Sequence, residues 1–173
     1  MQQDRQRILM ISIKRLLRRD AGSRLRKIVN KTHGADLSIL FRDLSLQDQR
    51  MLFEMIEDNA QKGILFSEMD EDLFVALIDG MDPDAVVAIL EDMPNDDVAD
   101  LLNQLPEETA SSLLKRMKKE GSDEVEDLMR FANDTAGGIM NPDFIALNQE
   151  ITAKDAIEQI QKEFADVEMP FYL

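Results

Sequence analysis

The chain has 173 residues, 44% apolar and 32% charged, enough for one ordinary domain or two small ones around a buried core. It lacks cysteine and holds a single histidine, His33, which excludes disulfides, thiolate metal sites and a cysteine nucleophile and leaves no basis for a multi-histidine zinc site or a Ser-His-Asp arrangement. The net charge of −15 is divided: residues 1 to 33 carry ten Lys or Arg against two acids (+8), and residues 34 to 173 carry ten against thirty-three (−23).

The acidic part repels nucleic acid and concentrates cations, so no nucleic-acid partner is expected. No run of about twenty apolar residues is present to span a membrane, and the first residues are too charged for a secretory signal. No glycine-rich phosphate loop ending in lysine occurs, and no carboxylate pair has a reason for separated pKa values, so the chain does not read as an enzyme.

In chain order, residues 1 to 21 form a basic amphipathic helix. Ile8, Leu9, Ile13, Leu16 and Leu17 make its apolar stripe, with Arg5, Arg7, Lys14, Arg15, Arg18 and Arg19 around it. Such a helix either packs its stripe on its own domain or lies on an anionic membrane surface; contact of residues 1 to 19 with a membrane, or with RNA, is the alternative to packing. After Asp20-Ala21-Gly22, Ser23 is placed to cap a second helix ending near Asn30.

From Leu44 a repeat sets in, closed by Leu44, Ile56, Met69, Met81, Met93, Leu105 and Met117, twelve residues apart except for one step of thirteen. Units such as Asp82 to Met93, Pro94 to Leu105 and Pro106 to Met117 open with proline near the first helical position and acids in the first turn, then show apolar residues at helical spacing. Each is a helix of about nine residues, some 13 Å long, joined by a short turn. Helices this short must bury their stripes on neighbouring units, and that predicts an α-superhelix, a solenoid of short repeats whose methionines and leucines are core.

The acids that open the repeats favour the positive helix end, which accounts for Asp82, Asp84, Glu107 and Glu108. Asp96, Asp97 and Asp100 are denser than capping needs; hard oxygen ligands on one turn suit Mg²⁺ or Ca²⁺, with other ligands coming from elsewhere. A last helix is expected from about Asp123 to Phe131. Then Asp134-Thr135-Ala136-Gly137-Gly138-Ile139-Met140-Asn141-Pro142 forms a joint whose paired glycines allow positive φ and close backbone approach. Beyond it Phe144 to Leu147 reads as a strand, Asn148 to Glu150 as a turn, and Thr152 with Asp155 caps a helix carrying Ala153, Ala156, Ile157 and Ile160. Pro170 to Leu173 begins another extended segment. A strand, a helix and part of a strand cannot close a core, so residues 133 to 173 are expected to be a truncated α/β fragment.

At this joint the sequence resembles the cytosolic part of MgtE-type magnesium channels, in the stretch from Asp134 to Met140 and in Pro142 and Phe144 to Leu147, and more loosely over residues 22 to 173. The resemblance implies a right-handed superhelical N domain over 22 to 132, followed by the start of the first CBS motif (cystathionine-β-synthase type). It implies a Mg²⁺-sensing regulatory function, in which Mg²⁺ bound between acidic N and CBS surfaces draws them together and closes a pore. The metal ligands it suggests are Asp96 and the Gly138 carbonyl; Asp97 and Asp100 are added on charge density and Asp134 as the acid of the joint. Mg²⁺ is the expected ion, with Co²⁺, Mn²⁺ and Ca²⁺ as other oxygen-seeking cations. The implied partners are the chain's own CBS and transmembrane domains and a second copy in a homodimer, at the cytoplasmic face of the bacterial plasma membrane. An acidic position of the family falls here on Ile64, in the thirteen-residue unit, which puts one bound ion in doubt. The repeats also resemble those of the flagellar motor switch ring protein, which gives the alternative of a solenoid interaction scaffold.

Overall fold

An isolated helix of eight or nine residues is marginal in water, so the architecture follows from where each such helix finds cover. A computed structural model describes residues 2–19, 21–132, 135–138, 140 and 146–163. The helices in chain order are α1 (Gln2–Leu17), α2 (Gly22–Val29), α3 (Gly34–Phe41), α4 (Leu46–Glu54), α5 (Asn59–Ser67), α6 (Glu71–Ile78), α7 (Pro83–Leu90), α8 (Asn95–Asn103), α9 (Glu107–Leu114), α10 (Lys119–Met129) and α11 (Ala153–Glu163). Among the described residues there is no strand.

Cover comes from two places along the chain. α1 packs on α3, α2 on α4, α3 on α5, α4 on α6, α5 on α7, α7 on α9, and α8 on α10. The buried residues are those of the twelve-residue rhythm: Phe53 and Ile56, Phe66 and Met69, Leu90 and Met93, Leu102 and Leu105, Leu114 and Met117. Phe53 stacks on Phe66 with ring centroids 5.0 Å apart, and Phe74 meets Phe66 edge-on at 5.1 Å, so three successive units share one aromatic column. Gly34 and Gly63 are needed for close approach: a Cβ at Gly34 would collide with the Gln61 carbonyl and the Ile64 side chain, and one at Gly63 with Met93.

Short helices leave many carbonyls without intrahelical partners, and long polar side chains from other units satisfy them. Gln49 Nε2 donates to the carbonyls of Phe41 (2.6 Å) and Leu44 (3.2 Å) at the end of α3. Gln61 does the same for Val29 and Thr32 at the end of α2, and Arg50 for Ala76 and Asp79 at the end of α6. At the other ends, Ser45, Asp58 and Asp82 accept backbone N–H bonds as N-caps, and His33 Nδ1 accepts from Ala35 N, so the lone histidine is a helix cap. Pro83 occupies the first turn of α7, while Pro94 and Pro106 are the N-cap residues of α8 and α9.

Several sequence expectations are corrected. α2 starts at Gly22 with Ala21 as N-cap, so Ser23 lies inside its first turn and caps nothing. Ile8 is 64% exposed and outside the packed stripe of α1, where Met10 joins Leu9, Leu16 and Leu17 around the fully buried Ile13. α10 starts at Lys119, not Asp123, because the Glu91 carboxylate accepts the Lys118 N–H at 2.8 Å and fixes the helix start there; it ends at Met129, before Phe131. Of the expected strand, Phe144 and Ile145 lie outside the described residues, and Ala146 and Leu147 take no regular structure. Pro170 to Leu173 also lies outside them. The turn and capped helix beyond are as expected: Glu150 N donates to Asn148 Oδ1, and Thr152 Oγ1 both accepts from Asp155 N (3.2 Å) and donates to Asp155 Oδ2 (2.7 Å).

Phe66 joins two aromatic contacts with complete burial, so Phe66→Ala should lower the unfolding free energy by about 3–5 kcal/mol. Urea denaturation checks this, and a loss under about 1 kcal/mol contradicts the central placement of the column.

Candidate cation site

Several of the described acids are engaged by caps or ion pairs. Asp82 caps its own helix through Asp84 N, and Asp84 pairs with Arg116 at 2.6 Å. Asp70 pairs with Arg42, Glu57 with Arg26, and Glu91 with both the backbone N–H and the ammonium of Lys118. Those two contacts, the backbone hydrogen bond first, hold the Glu91 carboxyl below the usual carboxylate range.

α8 is different. It opens Pro94-Asn95-Asp96-Asp97, and its buried face, Val98, Ala99, Leu101 and Leu102, clamps it against α10 and α5. Asn95 Nδ2 donates to Glu124 Oε2 of α10 at 2.5 Å, and Ser67 Oγ of α5 donates to Asp97 Oδ2 at 3.0 Å, so the first turn is tied on both sides. Asp96 is half-buried between these ties. Its Oδ1 is enclosed and has no hydrogen-bond partner.

A buried carboxylate oxygen without a partner is costly, and its repulsion falls on the acid one turn later. Asp100, four residues on and on the same face, has its pKa raised, first by loss of solvent and second by the charge of Asp96. The helix start adds a positive end that favours anions at Asp96 and Asp97 but not at Asp100, in the second turn.

The five sequence candidates therefore separate. Asp96 and Asp100 form an interacting pair. Asp97 is turned to Ser67. Gly138 sits in a turn after α10, its N–H donating to the Thr135 carbonyl at 3.1 Å and to Thr135 Oγ1 at 3.2 Å, while Thr135 Oγ1 donates to the Ala132 carbonyl. Asp134 lies outside the described residues. Gly137 needs no positive φ; a Cβ there would collide with the Phe131 ring, so the glycine serves close approach. Among the described residues the one positive-φ glycine is Gly80, at 81°, just beyond α6, and a Cβ there would meet nothing.

Among the described residues no three acids or histidines gather at one point. Two carboxylates one turn apart, one with an unmet buried oxygen, fit a hard cation that keeps several of its waters, as Mg²⁺ does. Ser67 was not singled out in the sequence, because its partner stands thirty residues away, as in most of the polar links between units, and no local motif marks it.

Because the folded protein raises the pKa of Asp100, its ionisation penalises folding above that raised value. The penalty fades as pH falls through it and vanishes below the ordinary aspartate value of 3.8. Asp100→Asn should therefore stabilise the protein at neutral pH, by less than about 1 kcal/mol because solvent screens the site, and should lose that advantage in acid. Urea denaturation at the two pH values reads this; destabilisation at neutral pH contradicts it.

No curated protein matches the chain. Among solved structures it is similar to the cytosolic domain of the Mg²⁺ channel MgtE in complex with ATP, with a TM-score of 0.83 and 23% identity over 92% of this chain and 65% of that one. It is also similar to the soluble part of a magnesium transporter, with a TM-score of 0.80 and 19% identity over 95% of this chain and 64% of that one. These likenesses show a shared fold, and the chain spans less than two thirds of either structure. The model of the MgtE intracellular N domain matches residues 32–134, from the cap of α3 to the end of the helical array. The chain belongs to the MgtE intracellular N domain family.

Proposed function

We propose that this chain is the cytosolic Mg²⁺-sensing portion of a magnesium channel or transporter, regulatory rather than catalytic, in which the acidic helical domain and a CBS domain associate when divalent cation is bound between them. The observation that carries the reading is the Asp96–Asp100 pair, with its one enclosed and unpartnered carboxylate oxygen, on a chain of the MgtE N-domain family. In this reading residues 22 to 132, α2 to α10, form a right-handed superhelix, and residues 133 to 173 begin a CBS motif. Asp97, Asp134 and the Gly138 carbonyl are further oxygen donors near the joint, and the working protein is a homodimer at the cytoplasmic face of the bacterial plasma membrane.

The physical argument is one of charge. A segment carrying −23 resists closing on another acidic surface. A bound divalent cation supplies positive charge between the two surfaces, and the closed state is favoured only to the extent that it holds the ion better than the open one. A coupling of about 1–3 kcal/mol changes the balance five- to 150-fold. Asp96 suits this because its site is already desolvated and the helix is tied to α5 and α10, so little ordering remains to oppose binding. The same chemistry admits Mn²⁺, Co²⁺ or Ca²⁺.

In the longer chain carrying a complete CBS domain, millimolar MgCl₂ at constant ionic strength should protect the joint between Phe131 and Pro142 from limited proteolysis. Asp96→Asn should need severalfold more Mg²⁺ for the same protection. Identical digestion of both proteins with and without Mg²⁺ contradicts the proposal.

A further inference from the structure

The face of α1 that turns away from the core has no role in the reading above. α1 is held by Ile13, which is fully buried, by Leu9, Met10, Leu16 and Leu17 against the core, and by Gln6 Nε2, which donates to Asp36 Oδ1. On the opposite side Ile8 and Ile11 are 64% and 57% exposed. At 100° per residue they share that side with Arg15, and Arg7, Lys14, Arg18 and Arg19 are exposed around them.

These five cations differ from five arginines farther along the chain, which are engaged. Arg26, Arg42, Arg50, Arg116 and Arg130 each bond to an acid or to backbone carbonyls. The side chains of Arg7, Lys14, Arg15, Arg18 and Arg19 form no ion pair or hydrogen bond with any described residue. Solvation alone does not account for cations without partners among the described residues around two exposed isoleucines, because the isoleucines gain nothing from water.

We propose that this face docks on an anionic lipid bilayer, with Ile8 and Ile11 entering the headgroup layer and the five cations meeting lipid phosphates. Charge complementarity also offers an acidic surface of a second copy as occupant. The isoleucines decide for lipid, since headgroups admit isolated alkyl side chains between phosphate-bound cations and a carboxylate-rich protein face does not. Two isoleucines are a small apolar anchor, so electrostatics dominates and binding is salt-sensitive. The −15 of the whole chain does not forbid this, because acids more than about 8–10 Å from the bilayer are largely screened at physiological ionic strength.

The test is cosedimentation of the 173-residue chain with vesicles of mixed phosphatidylglycerol and phosphatidylcholine, and with phosphatidylcholine alone, with size-exclusion chromatography in parallel without lipid. The wild type should bind only the mixed vesicles and be released when salt shortens the Debye length to about 3 Å. Arg15→Glu with Arg18→Glu, and separately Ile8→Ser with Ile11→Ser, should each weaken binding about tenfold or more while leaving the circular dichroism unchanged, since all four positions are exposed. No binding to mixed vesicles at low salt overturns the proposal, as does full retention of binding by either double variant. Self-association without lipid that the Arg variants abolish also overturns it, assigning the face to a second copy.

Discussion

Everything in this molecule depends on a length constraint: its repeating helices are eight or nine residues long and cannot stand alone. Each gains its stability by laying an apolar stripe on the helix two places along, and the polar groups left at its ends are met by side chains from other units. The links Asn59 to Ala88 and Asn95 to Glu124 join helices two places apart, as the apolar packing does, and Gln61 to Val29 reaches one helix farther. Packing and polar satisfaction therefore share one register, and an insertion of a single residue within a helix would offset both.

That register also decides which acids are free. A helix start attracts acids through its dipole, so most units carry them, but the stacking brings Arg42 to Asp70, Arg116 to Asp84 and Ser67 to Asp97. Asp96 is set apart by its surroundings, since it is pressed among α5, α8 and α10 with one oxygen enclosed and unmet, and it disturbs Asp100 one turn on. The general acidity of the surface supplies repulsion and cation enrichment; in the proposed function the geometry at α8 supplies the place.

The sequence made the repeat legible because period, proline and closing apolar residue coincide, and the helices fell where that coincidence put them, with buried Met69, Met93, Leu105 and Met117. The cap at Thr152 was legible for a similar reason, as a local motif. What could not be read was whatever depends on a neighbour thirty residues away: the Ser67 bond to Asp97, the Glu91 carboxylate that starts α10 early, and the enclosed oxygen of Asp96. The density of Asp96, Asp97 and Asp100 singled out α8, but charge density cannot tell an engaged acid from an unmet one. Of the two uses the sequence allowed for Gly137, positive φ and close approach, the structure uses the second, with the Phe131 ring lying over it.

The central claim is that among some thirty acids one pair on α8 is poised for a cation, and paramagnetic relaxation measures it directly. Mn²⁺ titrated into the isotopically labelled chain should broaden the amide signals of Asp96 to Asp100 before those of Asp82, Asp84, Glu107 and Glu108, and Asp96→Asn should remove that preference. Broadening that spreads evenly over the acidic helix starts, unchanged by the substitution, would show that the ion sees only a diffuse negative surface and that α8 holds no particular place for it.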